Sequence, residues 1–305
     1  MSKLLIDNID VSEKVTISAC IHEMHAGSRS DSLIIKVDDS EHQFDKWRIQ
    51  TGLPVEYKTS GNTSGKMYLY SAAPENGYCI LRAYSMPVSG TVPNTKPWER
   101  VHFTQIGEEI AKRHGLEFEC YGLDDIVYQY RAQENQEDFK FFGQLCILER
   151  AALMIFDGRL IAAYEPYLES IEPAATIDTA GCVVECEDYS LLEYGAAKVA
   201  SGPYNGTFKA PEGNARLWIS NKLIKCQSNL EAFRFAASEL REKNKMLISG
   251  SIEGPLMSQY APGIMVNIKN RQMPSWSGAY FIYKVRHDYG KSKTKIFFRR
   301  KLEGY

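Results

Sequence analysis

No stretch of this 305-residue chain comes near the roughly 20 unbroken apolar residues of a membrane span. Its first residues, MSKLLIDNIDVSEK, carry Asp7, Asp10 and Glu13 where a secretory leader needs an apolar run. Neither sign of charge dominates: 36 Lys and Arg stand against 38 Asp and Glu, a net charge of −2. That balance argues against a general nucleic-acid or membrane-surface binder. Cysteines number seven, an odd count. Cys20, Cys79 and Cys146 sit in apolar runs and read as small buried hydrophobes of a chain made and kept in the cytoplasm. Cys182 and Cys186 would share a strand face about 13 Å apart, too far to bridge.

Catalytic signatures are also missing. HEMH at 22–25 is one residue short of a zincin helix motif, and its histidines read as a surface turn ending a strand. GNTSGKM at 61–67 has three residues between its glycines where a phosphate loop has four, and Met67 stands where Ser or Thr would hold magnesium; it reads as a hairpin turn. There is no G-x-S-x-G. No signature marks two carboxylates that would flank a glycosidic bond. These absences give the expectation of a non-enzyme with no catalytic, metal or cofactor site.

What is present is β-structure. Aromatics make up 11% of the chain, with 18 Tyr against 13 Phe, a bias that suits strands and interfaces. Apolar runs at 14–21, 32–37, 53–59, 67–71 and 77–84, separated by Gly, Pro, Asn and Ser clusters, predict a first β unit over 1–95. Pro97 and the spacing of Trp98, Val101, Ile106 and Ile110 predict a helix stopped by Gly115. A second helix is expected over 136–152, then a type I′ hairpin at Asp157-Gly158. Residues 96–165 thus form a small α+β insert. A second β unit fills 166–305, with strands near 175–187 and 216–226. A helix starting at the Ser228/Glu231 capping box is expected to bury Leu230, Phe233, Ala237 and Leu240. The strands 245–252, 264–268, 279–287 and 294–298 are then expected as an antiparallel meander. The fold class is mainly β: two β-rich units, the first reading as a sandwich or barrel and the second as an antiparallel meander, separated by a small helical α+β region.

One charged feature stands out. Between Lys284 and Tyr305 there are eight basic residues against two acidic ones. Lys291, Lys293 and Lys295 alternate with Ser292, Thr294 and Ile296, a spacing that makes one strand face basic. Such a stripe is either a solvated face that discourages edge pairing or a docking surface for an acidic partner. Trp47, Trp98 and Trp276 are candidates for interface positions, as they are for core.

The block from 229 to 300 carries a resemblance. NLEAFRFAASELREKNK leads into MLISGSIEG, then Pro262-Gly263-Ile264-Met265-Val266, Gly278-Ala279-Tyr280-Phe281-Ile282 and Val285-Arg286-His287. Earlier, 131–139 (RAQENQEDF), Leu145 and Glu149 precede the Asp157-Gly158 hairpin. Together these resemble the late control protein D family, the baseplate hub proteins of contractile phage tails and their relatives. Glu137-Asp138 replaces that family's Ser-Asp, and Ala151 or Ala152 its glycine. The resemblance implies two tail-tube-like barrels per chain and a homotrimer that presents six similar units. One side would meet the six-fold tail tube protein and the other a three-fold central spike protein. Tape-measure and baseplate wedge proteins are further implied neighbours; specific nucleic acid and membrane insertion are not implied. The chain would be made in the bacterial cytoplasm and assembled into a virion or phage-tail-like particle. Two other readings stand beside the hub: a tail-associated cell-wall hydrolase, and a carbohydrate- or receptor-binding tail-tip module.

Overall fold

A computed structural model describes residues 2–27 and 29–305. The first unit consists of β1 (Lys3–Ile6), β2 (Ile9–Asp10), β3 (Ile17–His25), β4 (Ser32–Asp38), the short α1 (Gln43–Trp47), β5 (Pro54–Lys58), β6 (Met67–Glu75) and β7 (Tyr78–Tyr84). Alternation drives it: in β4, Leu33, Ile35 and Val37 are buried while their neighbours face out. These residues join Leu4, Cys20, Val55, Met67 and Leu81 in one apolar core. Strands at opposite ends of the run, β1 and β3, both feed this core, so the sheet curls around it.

The middle unit begins with β8 (Pro93–His102), α2 (Phe103–Arg113), β9 (Glu117–Tyr121), β10 (Val127–Glu137), α3 (Asp138–Leu148), β11 (Ala151–Phe156), β12 (Arg159–Tyr164) and α4 (Glu165–Ser170). Gly115, at φ +69°, follows α2 as expected, and the β11–β12 hairpin turns through Asp157 and Gly158, both at positive φ. Residues 97–102 are a strand, not the first turns of a helix. Here Trp98, Val101 and His102 pair with Arg131, Tyr128 and Val127 in a two-stranded ribbon. The second helix is shorter than expected: Arg150 adopts φ +59° and Ala151–Leu153 turn into β11.

The chain continues through β13 (Thr176–Asp178), β14 (Val183–Asp188), β15 (Ala196–Ser201), β16 (Tyr204–Lys209), β17 (Leu217–Ile219), α5 (Asn229–Asn244), β18 (Ile248–Pro255), β19 (Ile264–Lys269), β20 (Gly278–Asp288) and β21 (Lys293–Arg300). Strands β13, β14 and β18–β21 curl around a core of Ile252, Val266, Tyr280, Ile282, Val285, Ile296 and Phe298. They are not a simple meander. β18 lies between β14 and β21, while β19 pairs with β20 and, in parallel, with β13.

The boundary expected at 166 does not separate two units. Val199, Cys226, Ala232, Phe235 and Ala236, from β15 to α5, share a core with Trp98, Phe103, Ile110, Phe142 and Leu160 of the middle unit. The reason is the face that α5 buries. Leu230 and Phe233 are 73% and 45% exposed, and the inward stripe is Ala232, Phe235, Ala236 and Leu240. Half of the expected capping box forms: Ser228 Oγ accepts the Glu231 N–H at 3.1 Å, while the Glu231 carboxylate takes the Gln227 N–H.

The two curled halves meet edge to edge. β3 pairs antiparallel with β20, making one 13-stranded sheet of the described residues. Ala26, Met265 and Phe281, with Met154 of β11 and Leu168 of α4, form a small fourth core beside that junction.

Candidate functional site

The basic hairpin is the first place to look for a docking surface. Lys291 lies in the β20–β21 turn, not on the strand, because residues 289–292 reverse the chain and Ser292 takes φ +52°. Lys293 and Lys295 do project from β21, but each meets an acid of another strand of the same sheet. Lys293 Nζ is 3.1 Å from Glu253 of β18, and Lys295 Nζ is 3.0 Å from Glu185 of β14. The stripe is therefore largely neutralised within the sheet, and Lys291, 78% exposed and 3.9 Å from Asp288, keeps the freest charge. Trp276 sits in a single 3-10 turn and packs partly buried against the second β core, away from solvent display. Of the other tryptophans, Trp98 is buried and Trp47 is half-buried against Phe44.

Ser89 Oγ is 2.8 Å from His114 Nδ1, and His114 Nε2 is 2.9 Å from Asp138 Oδ2. Asp138 fixes the tautomer: its oxygen accepts from Nε2–H, leaving Nδ1 to accept the Ser89 hydroxyl proton. The order of residue types is that of a hydrolase triad. Its surroundings are those of a structural tie. Asp138 is also held by Arg113 at 2.6 Å and Gln133 at 2.7 Å. Burial raises its pKa, and the hydrogen bonds from Gln133, His114 and Arg113 outweigh that and hold it below the usual carboxylate range. The chain of bonds pins the 3-10 turn Val88–Thr91 to the C-terminus of α2.

A second cluster is mostly buried, with Lys245 at its edge. Arg241 of α5 and Arg299 of β21, each 1% exposed, meet Glu165 and Glu169 of α4. Arg241 Nε is 2.8 Å from Glu165 Oε2, Lys245 Nζ is 3.3 Å from Glu165 Oε1, and the Leu302 N–H is bound at 3.1 Å by Glu169. Burial would raise the Glu165 pKa, but Lys245, Arg299 and Arg241 hold it down to about 2. A third cluster ties α5 to the middle unit. Arg234 grips Glu149 with Nε at 2.7 Å, Tyr128 donates its hydroxyl to Glu149 at 2.6 Å, and Arg131 pairs with Glu231. None of these members was legible as a site in the sequence. They are single polar and charged residues scattered from 128 to 299, and only folding brings them together.

Among the described residues, no three His, Cys, Asp or Glu side chains are arranged to hold a metal, and no helix is long and apolar enough to cross a membrane. All seven cysteines are free, and five of them are buried. His22, expected in a surface turn, is entirely buried within β3, which runs on to His25. The largest apolar concavity, about 720 Å³, runs between β10, α3 and the 222–227 loop, with Phe141, Leu145, Leu148 and the fully exposed Leu223 along it.

The chain is a mainly β protein whose charged clusters connect its elements. Its likeness to known structures lies in the same class. It superposes on the tail protein from Neisseria meningitidis MC58 with a TM-score of 0.74 at 10% identity, covering 98% of this chain and 96% of that one. The 43 kDa tail protein of prophage MuSo2 from Shewanella oneidensis gives 0.74 at 9% identity, with 98% of each chain covered. An Escherichia coli component of the type VI secretion system, itself similar in structure to the T4 bacteriophage tail proteins gp27 and gp5, gives 0.61 at 12% identity over 99% of this chain and 78% of that one. No family model matches the sequence, and no curated protein does. The chain thus has the fold of these tail and secretion-system proteins.

Proposed function

We propose that the chain is a structural subunit of a contractile phage tail or phage-tail-like particle, and within it the baseplate hub that joins a six-fold tail tube to a three-fold central spike. The observation that carries the reading is end-to-end likeness of fold: 98% of the chain matches 96–98% of two tail proteins, with no large unmatched domain. The two curled β halves, side by side in one sheet, supply the pair of units per chain that a three-copy ring needs to match a hexagon. The subunit works by fixed contacts, not by catalysis or a bound cofactor; Ser89, His114 and Asp138 serve as a structural tie. Partners under this reading are two further copies of itself, the tube and the spike, in a particle assembled from bacterial cytoplasm.

Mass and symmetry test it. Light scattering should give three times the 34.6 kDa of one chain, and particle images should place a three-fold ring under the tube. A monomer at micromolar concentration, or a location away from the tube axis, overturns the hub assignment. Zymography on peptidoglycan should show no clearing. A cleared band lost on Ser89→Ala would replace this reading with the hydrolase one.

A further inference from the structure

The ladder between β3 and β20 is, among the described residues, the only strand pairing that joins the two β halves. It is five residue pairs long, from His25 opposite Lys284 to Ile21 opposite Asp288. In it, His22 stands directly opposite His287, and both are 0% exposed. Their ring centroids are 6.4 Å apart. Two residues before His22, Cys20 belongs to the first β core; two residues after, Met24 belongs to the second. The pair therefore sits on the seam between two apolar interiors.

It is an odd choice for that seam. His287 Nδ1 is 2.9 Å from Thr294 Oγ1, but His287 Nε2 and both nitrogens of His22 have no hydrogen-bond partner. Apolar side chains of similar size would fill the space without orphaned polar atoms. Among the described residues no carboxylate pairs with either ring. β4 brings Leu33 opposite His22, and β21 brings Thr294 opposite His287. Cys20 lies along β3. Tyr289 follows His287 at a ring distance of 5.7 Å, with Tyr57 of β5 behind it, and the Tyr260 backbone stands beside His287 outside hydrogen-bond geometry. The charges of the ladder are on its other face, where Glu23 meets Lys284 at 2.9 Å and His25 at 3.0 Å, Arg286 lies opposite Glu23, and Asp288 ends the pairing. Asp31, in the β3–β4 turn, is occupied with the His25 N–H at 2.8 Å.

We propose that the His22–His287 pair makes the junction between the two β halves an acid-sensitive joint, closed while both rings are neutral and opened when either takes a proton. The inference stands apart from the hub reading, since it concerns how the halves of one chain hold together. Burial, with His287 as a lesser cause, lowers His22 to about 3, and burial lowers His287 to about 4. The opened rings would protonate near 6.5. The closed state is thus fully favoured above 6.5 and loses ground as pH falls from there toward the folded values, about tenfold per pH unit for each histidine released. His25, also lowered by burial against the pull of Glu23, adds in the same direction. Asp31, raised by burial to about 7, acts oppositely and favours closure on acidification. Cys20, pushed to about 12, stays neutral throughout.

Amide hydrogen exchange on the full chain tests this. Between pH 6.0 and 5.0, after correction for intrinsic exchange, opening of residues 21–25 and 284–288 should rise at least about tenfold, while α3 stays protected. His22→Gln and His287→Gln should each flatten the rise, and Asp31→Asn should steepen it. A ladder whose protection does not change with pH overturns the proposal, as does an unchanged slope in both glutamine variants. If those variants fail to fold, imidazole titration by NMR on the native chain decides: signals titrating near 6.5 for both buried rings overturn it, and signals still neutral at pH 5 in the closed form support it.

Discussion

Arg241 and Arg299 are two of the most deeply buried side chains in the molecule, and both are charged. Taking such groups out of water costs several kcal/mol each, recovered only through the carboxylates of Glu165 and Glu169 and the hydrogen bonds around them. Removing one partner leaves the others uncompensated. Arg241→Met should therefore lower unfolding free energy by about 3–5 kcal/mol, read from urea denaturation, even though methionine fills much of the volume. The same cluster sets a pH dependence of its own. The folded Glu165 pKa of about 2 lies below the ordinary value near 4.3, so its contribution is complete above that value and is lost as pH falls toward 2. Glu165→Gln should lower stability at pH 7 and flatten the acid limb between pH 4 and 2. A variant as stable as the native chain at pH 7 would mean that the cluster contributes only specificity. Sequence could not announce this cluster. Glu165 and Arg299 are 134 residues apart, and an isolated glutamate beside proline looks like any exposed helix start.

Elements show where a pattern suffices and where it does not. Apolar runs bounded by turn residues locate β4, β7, β19 and β20 to within a few residues: β4 and β7 alternate buried and outward positions, while β19 and β20 bury successive residues such as Tyr280, Phe281 and Ile282 on both faces. Such a pattern fails for β8, where only Trp98 is buried and proline at 97 mimicked a helix start. What makes 93–102 a strand is its partner β10, more than 25 residues away. In α5 the period was right and the face wrong, since two apolar stripes compete and alanines decide which fits. Ala232 and Ala236 let the helix lie close on the sheet of β15 and β16, where a side chain at Gly206 would run into the backbone of Phe233. Two phenylalanines two positions apart should then behave oppositely. Phe235→Ala should cost about 3–5 kcal/mol in thermal or urea unfolding, as a buried aromatic does. Phe233→Ala, half-exposed against Phe208, should cost well under half of that. Gly206→Ala should destabilise strongly although the residue is in a strand of an outer sheet, because backbone, not a movable side chain, occupies the space.

At the scale of the molecule, the middle unit is built from two stretches of chain, 86–164 and 196–245, so the second β half begins, is interrupted, and resumes. The halves cannot then be cut apart at one boundary, and truncation near 166 should give insoluble protein, not a free domain. This geometry also bears on the basic hairpin. Lys293 and Lys295 spend their charge on Glu253 and Glu185 inside one chain, on exposed or half-exposed pairs of the kind worth about 0–1 kcal/mol. Replacing Lys291, Lys293 and Lys295 together by alanine should therefore leave the melting temperature of the isolated chain within a few degrees. The same triple variant frees Glu253 and Glu185 and makes this face acidic. If the face docks an acidic partner in the assembled particle, incorporation into particles should fall and the loss should grow at low salt, where like charges repel over a longer range. Full incorporation at every ionic strength would assign the stripe to ion pairs within the sheet alone, since β21 is an interior strand between β18 and β20 with no edge of its own to guard.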